Sequence, residues 1–132
     1  MNKENIEKIN GHLKAGETNG NFSNDHKGYT GYKPQAVIDA VNLELLGQWN
    51  LAVTGKETYP TRNKKGEEVK NAFVTVRLTI GDSFIDSMAS HPILDDVGDA
   101  FKSAQTDAMK KAFAHYSIGN RAYHGLLGKI VI

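Results

Sequence analysis

Two groups of cations are the side chains whose type and spacing could do chemistry. Lys110 and Lys111 stand together in GDAFKSAQTDAMKKAFAHYS, where apolar residues recur at helical spacing. Asp107 lies three and four residues before them, close enough on a helix to orient both. Such an exposed pair contributes little to stability, so the two lysines are surface cations held in fixed directions. Arg62, Lys64, Lys65 and Lys70 crowd TRNKKGEEVK beside Glu67 and Glu68, a composition that by itself reads as a solvated, flexible hairpin tip. The formal net charge is only +1, so affinity for nucleic acid has to come from local clusters of this kind.

Other chemistries find less support. The segment GHLKAGET, Gly11 to Thr18, has the glycines and the threonine of a phosphate loop, but Glu17 stands where the lysine must be. A carboxylate there repels phosphate, and no apolar strand precedes it, which argues against ATP binding and a RecA-like motor. His12, His26, His91, His115 and His124 show no ligand spacing, so no metal site is expected. His115, one turn past Lys111, is at most a minor neighbour of nucleic acid. Asp82, Asp86, Asp95, Asp96 and Asp99 read as turn and cap residues before they read as a nuclease centre. Asp99 is the expected N-cap of the last helix. The chain has no cysteine, which excludes disulfides and Cys-based zinc sites.

The elements that must position these cations follow from periodicity. Ile6, Ile9 and Leu13 give residues 1–14 a narrow helical stripe. Residues 15–31 are dense in Gly, Asn, Ser and Thr and read as a loop, so 1–31 is expected to be partly flexible. Pro34 opens a helix that carries Val37, Ile38, Val41, Leu45 and Leu46 at helical spacing and closes at Gly47. Three strand patterns follow. In WNLAVTGKETY, Trp49, Leu51 and Val53 share a face. In NAFVTVRLTI, Ala72, Val74, Val76, Leu78 and Ile80 share one. In SFIDSMAS the alternation is weaker. The last helix places Ala100, Phe101, Ala104, Ala108, Ala112 and Phe113 on an apolar stripe. Ile130, Val131 and Ile132 read as a terminal strand. Strands in a run between helices make the class α+β.

With 132 residues, a single domain over 1–132 is expected. No apolar run is long enough to span a membrane, and MNKENIEKIN lacks the apolar core of a signal peptide, so no membrane partner is expected. The expected location is the cytoplasm, in a bacterial nucleoid or a phage-infected host.

The segment VGDAFKSAQTDAMKKAFAHYSIGNRAY resembles the signature helix of Rad-fifty-two-type annealing proteins. It resembles more closely still the bacterial DNA damage response protein A and phage annealing proteins. The matching elements are Ala100, Lys102, Ala104, the Thr106-Asp107-Ala108 step, Lys110-Lys111-Ala112 and the turn at Ile118-Gly119. Upstream, GYKPQAVIDAVNLELLGQWN resembles the family's other block, an aromatic before a short helix that contains Asn42, followed by Gly47 and Trp49. The resemblance spans roughly residues 29–124. It implies a β-β-β-α core, the three-stranded antiparallel sheet packed on the long helix, and assembly into a ring. It also implies single-stranded DNA held in an outer groove by the basic pair, which maps onto Lys110 and Lys111. Two positions depart from the eukaryotic pattern: Ala36 and Ala114 stand where arginines are found. Lys33, Lys56, Lys102 and Arg77, with Arg62, Lys64 and Lys65, are the candidates to supply the missing charge.

The function expected from this resemblance is sequence-independent binding and annealing of single strands in recombination and repair. It needs no enzyme activity and no cofactor, and a single-strand-binding protein is a further candidate partner. A double-stranded-RNA-binding module has a similar element order, but its lysines lie near the start of the last helix, whereas Lys110 and Lys111 lie midway. A metal-dependent nuclease is a distant third reading.

Overall fold

The computed structural model describes residues 1–13 and 32–119. The expected loop at 15–31, the expected strand at Ile130–Ile132, His26 and His124 lie outside the described residues. The chain divides into two compact units, Met1–Gln48 with Phe113–Ile132, and Trp49–Ala112. It is α+β, with three helices and one three-stranded antiparallel sheet among the described residues.

In the first unit, α1 (Lys3–His12) starts at a capping box. The Asn2 side chain accepts from Asn5 N at 2.9 Å, and the Asn5 side chain accepts from Asn2 N at 3.2 Å. Two of the orphan amides of the first turn are thereby satisfied. Ile9 and Leu13 are buried, as their spacing requires. α2 (Pro34–Leu45) has its proline in the first turn, where a missing N–H costs nothing. Its buried side is Val37, Ala40, Val41 and Leu45, while Leu46, expected on that side, is 75% exposed. The helix ends at Leu45, and Gly47 takes the left-handed turn at φ 78°, so Leu46 leaves the stripe with the change of backbone direction. α1 and α2 lie against each other. Asn10 then ties the unit across the sequence. Its Nδ2 donates to Ser117 O at 2.7 Å, and its Oδ1 accepts from Gly119 N at 2.9 Å.

The second unit holds the sheet, in order β1 (Trp49–Arg62), β2 (Glu68–Ile80), β3 (Ser83–Pro92), followed by α3 (Val97–His115). The β2 pattern is realised in full: Ala72, Val74, Val76, Leu78 and Ile80 are all buried. Val74, Val76, Ala89, Ala104 and Ala108 form one buried cluster, with Leu51 and Phe101 against it. The expected cap at Asp99 is a correction. The Asp96 carboxylate accepts from Gly98 N at 2.6 Å and Asp99 N at 3.3 Å, which leaves Asp99 inside the first turn. The helix starts at Val97, three residues before the Ala100 that a cap at Asp99 implies.

β1 differs most from expectation. It pairs regularly from Trp49↔Ile80 to Val53↔Val76, then continues at Gly55↔Thr75. Thr54 is the extra residue of a β-bulge, and its hydroxyl donates to Thr75 O at 3.2 Å. Because side chains alternate with a period of two, one extra residue exchanges odd for even. Val53, expected in the core, is 38% exposed at the bulge. Beyond it the even residues share the buried face of β2: Lys56 pairs with Val74, Thr58 with Ala72, and Pro60 with Lys70.

Candidate nucleic-acid interface

β3 pairs with β2 only from Asn71 to Ile80, whereas β1 pairs with β2 as far as Arg62↔Glu68. The β1–β2 hairpin therefore projects as a two-stranded arm past the end of β3. The bulge decides what this hairpin presents. Lys56, beside the three-stranded part, and Lys70 and Arg62, on the arm, are exposed on one face, with Glu68 opposite Arg62, and this face continues the buried side of the sheet. From Lys56 to Arg62 the row is about 20 Å long at the rise of a strand. Lys56 Nζ sits 5.9 Å from the centroid of the Phe101 ring, so its stem lies along an apolar wall and its charge stays in water. Lys102, exposed, follows Phe101 on α3.

The arm's tip is an organised turn, which corrects the flexible loop that composition implied. Asn63 Oδ1 accepts from Lys65 N and Glu67 N, both at 3.0 Å. Asn63 N donates to Glu67 O, and Gly66 N donates to Asn63 O, each at 3.0 Å. Arg62 Nη1 donates to Gly66 O at 2.7 Å, and Gly66 has the positive φ of 79° that this closure needs. Lys64 and Lys65 are exposed on this turn. Their positions are set by the backbone, not left to a loose loop.

The α3 lysines do not form one face. Lys102 and Lys111, nine residues apart, point about 180° from each other round the helix. Lys111 is exposed and lies two turns beyond Ala104, on the same side as the apolar stripe and not opposite it. The Lys110 side chain is only 17% exposed, and its Nζ reaches Asp107 at 3.9 Å. No ion pair joins Asp107 to Lys111 among the described residues. The expected pair is thus one exposed cation and one largely covered.

Arg77 is placed elsewhere again. It stands on the opposite, outer face of the sheet. Its Nε and Nη2 donate to the two carboxylate oxygens of Asp86 at 2.8 and 3.0 Å. Its guanidinium stacks 3.9 Å over Phe84. The hydrogen bonds from Arg77 hold the Asp86 carboxyl below its usual range, and the same bonds raise the guanidinium further. With its charge engaged by Asp86, Arg77 belongs to no cluster with Lys56. Lys33, the residue before α2, lies in the other unit.

Asp95, Asp96 and Asp99 line an open pocket with His91, Pro92, Leu94, Ala100 and Ser103. Asp86 is held by Arg77. Among the described residues no group of three or more His, Cys, Asp or Glu is arranged to hold a metal ion. Sequence reasoning did not place Lys70 on the same face as Lys56. The available signal was Gly55 inside a strand pattern, a common mark of a bulge. No protein-family model and no curated protein matches this chain.

Proposed function

We propose that this chain binds single-stranded DNA without sequence preference and promotes ATP-independent annealing in recombination and DNA repair, as a Rad-fifty-two-like protein. The observation that carries the reading is the row of Lys56, Lys70 and Arg62 on one face of the β1–β2 hairpin, ending at Lys64 and Lys65. Cations on a hydrogen-bonded ladder hold phosphates at fixed places, and phosphate contacts carry no sequence information. Base edges are left free to pair, and pairing supplies the driving force without a cofactor. Lys102 and Lys111 add charge on α3, and Lys110 contributes less because its stem is covered.

In this reading the sheet packs on α3 as a β-β-β-α core, and copies join head to tail into a ring. Among the described residues no strand pairs with the outer edge of β1 or of β3, and unpaired edges are where such copies would meet. The setting is a bacterial nucleoid or a phage-infected host, with a single-strand-binding protein as a further partner.

The test compares fluorescence anisotropy of an oligothymidine, a mixed-sequence single strand and duplex RNA over a range of salt, beside an annealing assay without ATP. Equal affinity for the two single strands, a steep salt dependence and accelerated annealing are expected. Tighter binding to duplex RNA would replace this reading with that of a shape-reading RNA module. Magnesium-dependent cleavage would replace it with a nuclease. Electron microscopy with and without the strand reads the ring directly.

A further inference from the structure

The outer face of the sheet has a composition unlike the arm's. It carries no lysine. It exposes Phe84 and Met88, each 55% accessible, and an edge-on pair of Tyr59 and Phe73 with ring centroids 6.2 Å apart. Arg77 and Asp86 lie between them. Aromatic residues, Met and Arg without Lys are the signature of a protein interface, and Asp86 and Glu57 make the face a poor one for phosphates.

The pairing register says which protein. Along β2 and β3 the outer-face partners are Asn71↔Pro92 at one end, then Phe73↔Ser90, Thr75↔Met88, Arg77↔Asp86 and Thr79↔Phe84. In the three rows that hold Phe73, Met88 and Phe84 a large side chain stands beside a small one, and in the Arg77 row a cation stands beside an anion. A two-fold axis running parallel to the strands, between β2 and β3, exchanges the members of each row. It sets Phe84 against the partner's small Thr79 position, Met88 against that of Thr75, and Arg77 against that of Asp86. The face is complementary to itself in both shape and charge.

We propose that the outer face of β2 and β3 is a self-association surface, on which a second copy of this chain packs sheet to sheet about that axis, roughly 10 Å away. The two strands that overlap about this axis, about 4.8 Å apart and about 33 Å long, give a flat footprint of about 320 Å² per copy. Counting both copies, this stays below the roughly 1,000 Å² of a stable contact and belongs to the weak, transient class. Association is therefore weak, in the micromolar range. The surface is separate from the basic arm and from both sheet edges, so the inference does not rest on DNA binding. A ring built through the edges stacks in pairs through the faces.

The experiment is light scattering on the full chain at high micromolar concentration, with far-UV circular dichroism as the control for folding. Phe84→Glu is expected to halve the mass. Arg77→Asp alone and Asp86→Arg alone are each expected to halve it, because like charges then meet across the axis. Mixing these two variants is expected to restore the wild-type mass, since each now presents what the other lacks. Met88→Glu, one row from the ion pair and outside the Arg77–Phe84 stack, repeats the test should Phe84→Glu not fold. An unchanged mass in every folded variant overturns the proposal. So does an unchanged mass with weakened oligothymidine binding in Phe84→Glu, which would assign the face to nucleic acid. Failure of the mixture to restore association overturns the two-fold arrangement.

Discussion

Replacing Lys56 by Ala removes one cation from the basic face of the hairpin and one contact with Phe101, and the two losses are separable. The ammonium lies 5.9 Å from the ring centroid at an exposed site, an interaction contributing about 0.5 kcal/mol to stability. For a chain of this size that lowers the melting temperature by only about 2 °C. The effect on binding is larger and has a different signature. One lost phosphate contact on a single strand reduces the slope of log affinity against log salt by about 0.7. Between 1 M and 0.1 M salt that amounts to roughly a five-fold loss, about 1 kcal/mol, present at low salt and absent at high salt. Lys56→Met, which keeps an apolar stem over Phe101, should show the same slope, and Lys56→Arg should restore the wild-type slope. Anisotropy titrations of an oligothymidine at several salt concentrations measure all three. A loss independent of salt, or an unaltered slope in Lys56→Ala, refutes the assignment of Lys56 to a phosphate.

Lys111→Ala should lower the salt slope by about 0.7, whereas Lys110→Ala should change it less and cost about 1 kcal/mol of stability through its covered stem, read by urea denaturation. The triple replacement of Arg62, Lys64 and Lys65 by Ala should weaken binding and also loosen the tip, seen as faster amide exchange at Gly66 and Glu67. Asp86 has a depressed folded pKa, so the stability it contributes is present above the ordinary aspartate range and is lost as pH falls through the depressed value. Carboxyl NMR should place its midpoint below that of a free aspartate, and Arg77→Ala should return it. Asp96→Ala removes the cap of α3 and should cost about 1 kcal/mol, or about 4 °C in melting temperature.

Periodicity made the elements of this chain legible because the residues that alternate in β2 and recur in α2 and α3 are the ones that became buried. It failed where one residue changes the count. Gly55 in WNLAVTGKETY marks a bulge, but that Thr54 is the residue without a partner depends on the strand across from it. The face on which Lys56 falls was therefore not readable from β1 alone. Lys110 and Lys111 were legible as helical, but their exposure depends on what covers each side of α3. Simple helical geometry would already have placed Lys111 in line with Ala104. The tip illustrates a third case. Asn63 and Gly66 have the local chemistry of a closed turn, and the charge around them made the segment read as loose.

The two hydrogen bonds of the Asn10 side chain, to Ser117 O and from Gly119 N, set an order of events during synthesis. These partners are 107 and 109 residues downstream. At about 5–20 residues per second a nascent chain exposes Asn10 for roughly 5–20 s before they exist. Closing a loop of that length costs about 4 kcal/mol of chain entropy, so the bond forms only after nearer contacts have shortened it. The β1–β2 hairpin, closed by a five-residue turn, is complete long before. A contact made this late acts as a latch on the way out more than a guide on the way in. Asn10→Ala should speed unfolding and leave the refolding rate nearly unchanged in stopped-flow experiments.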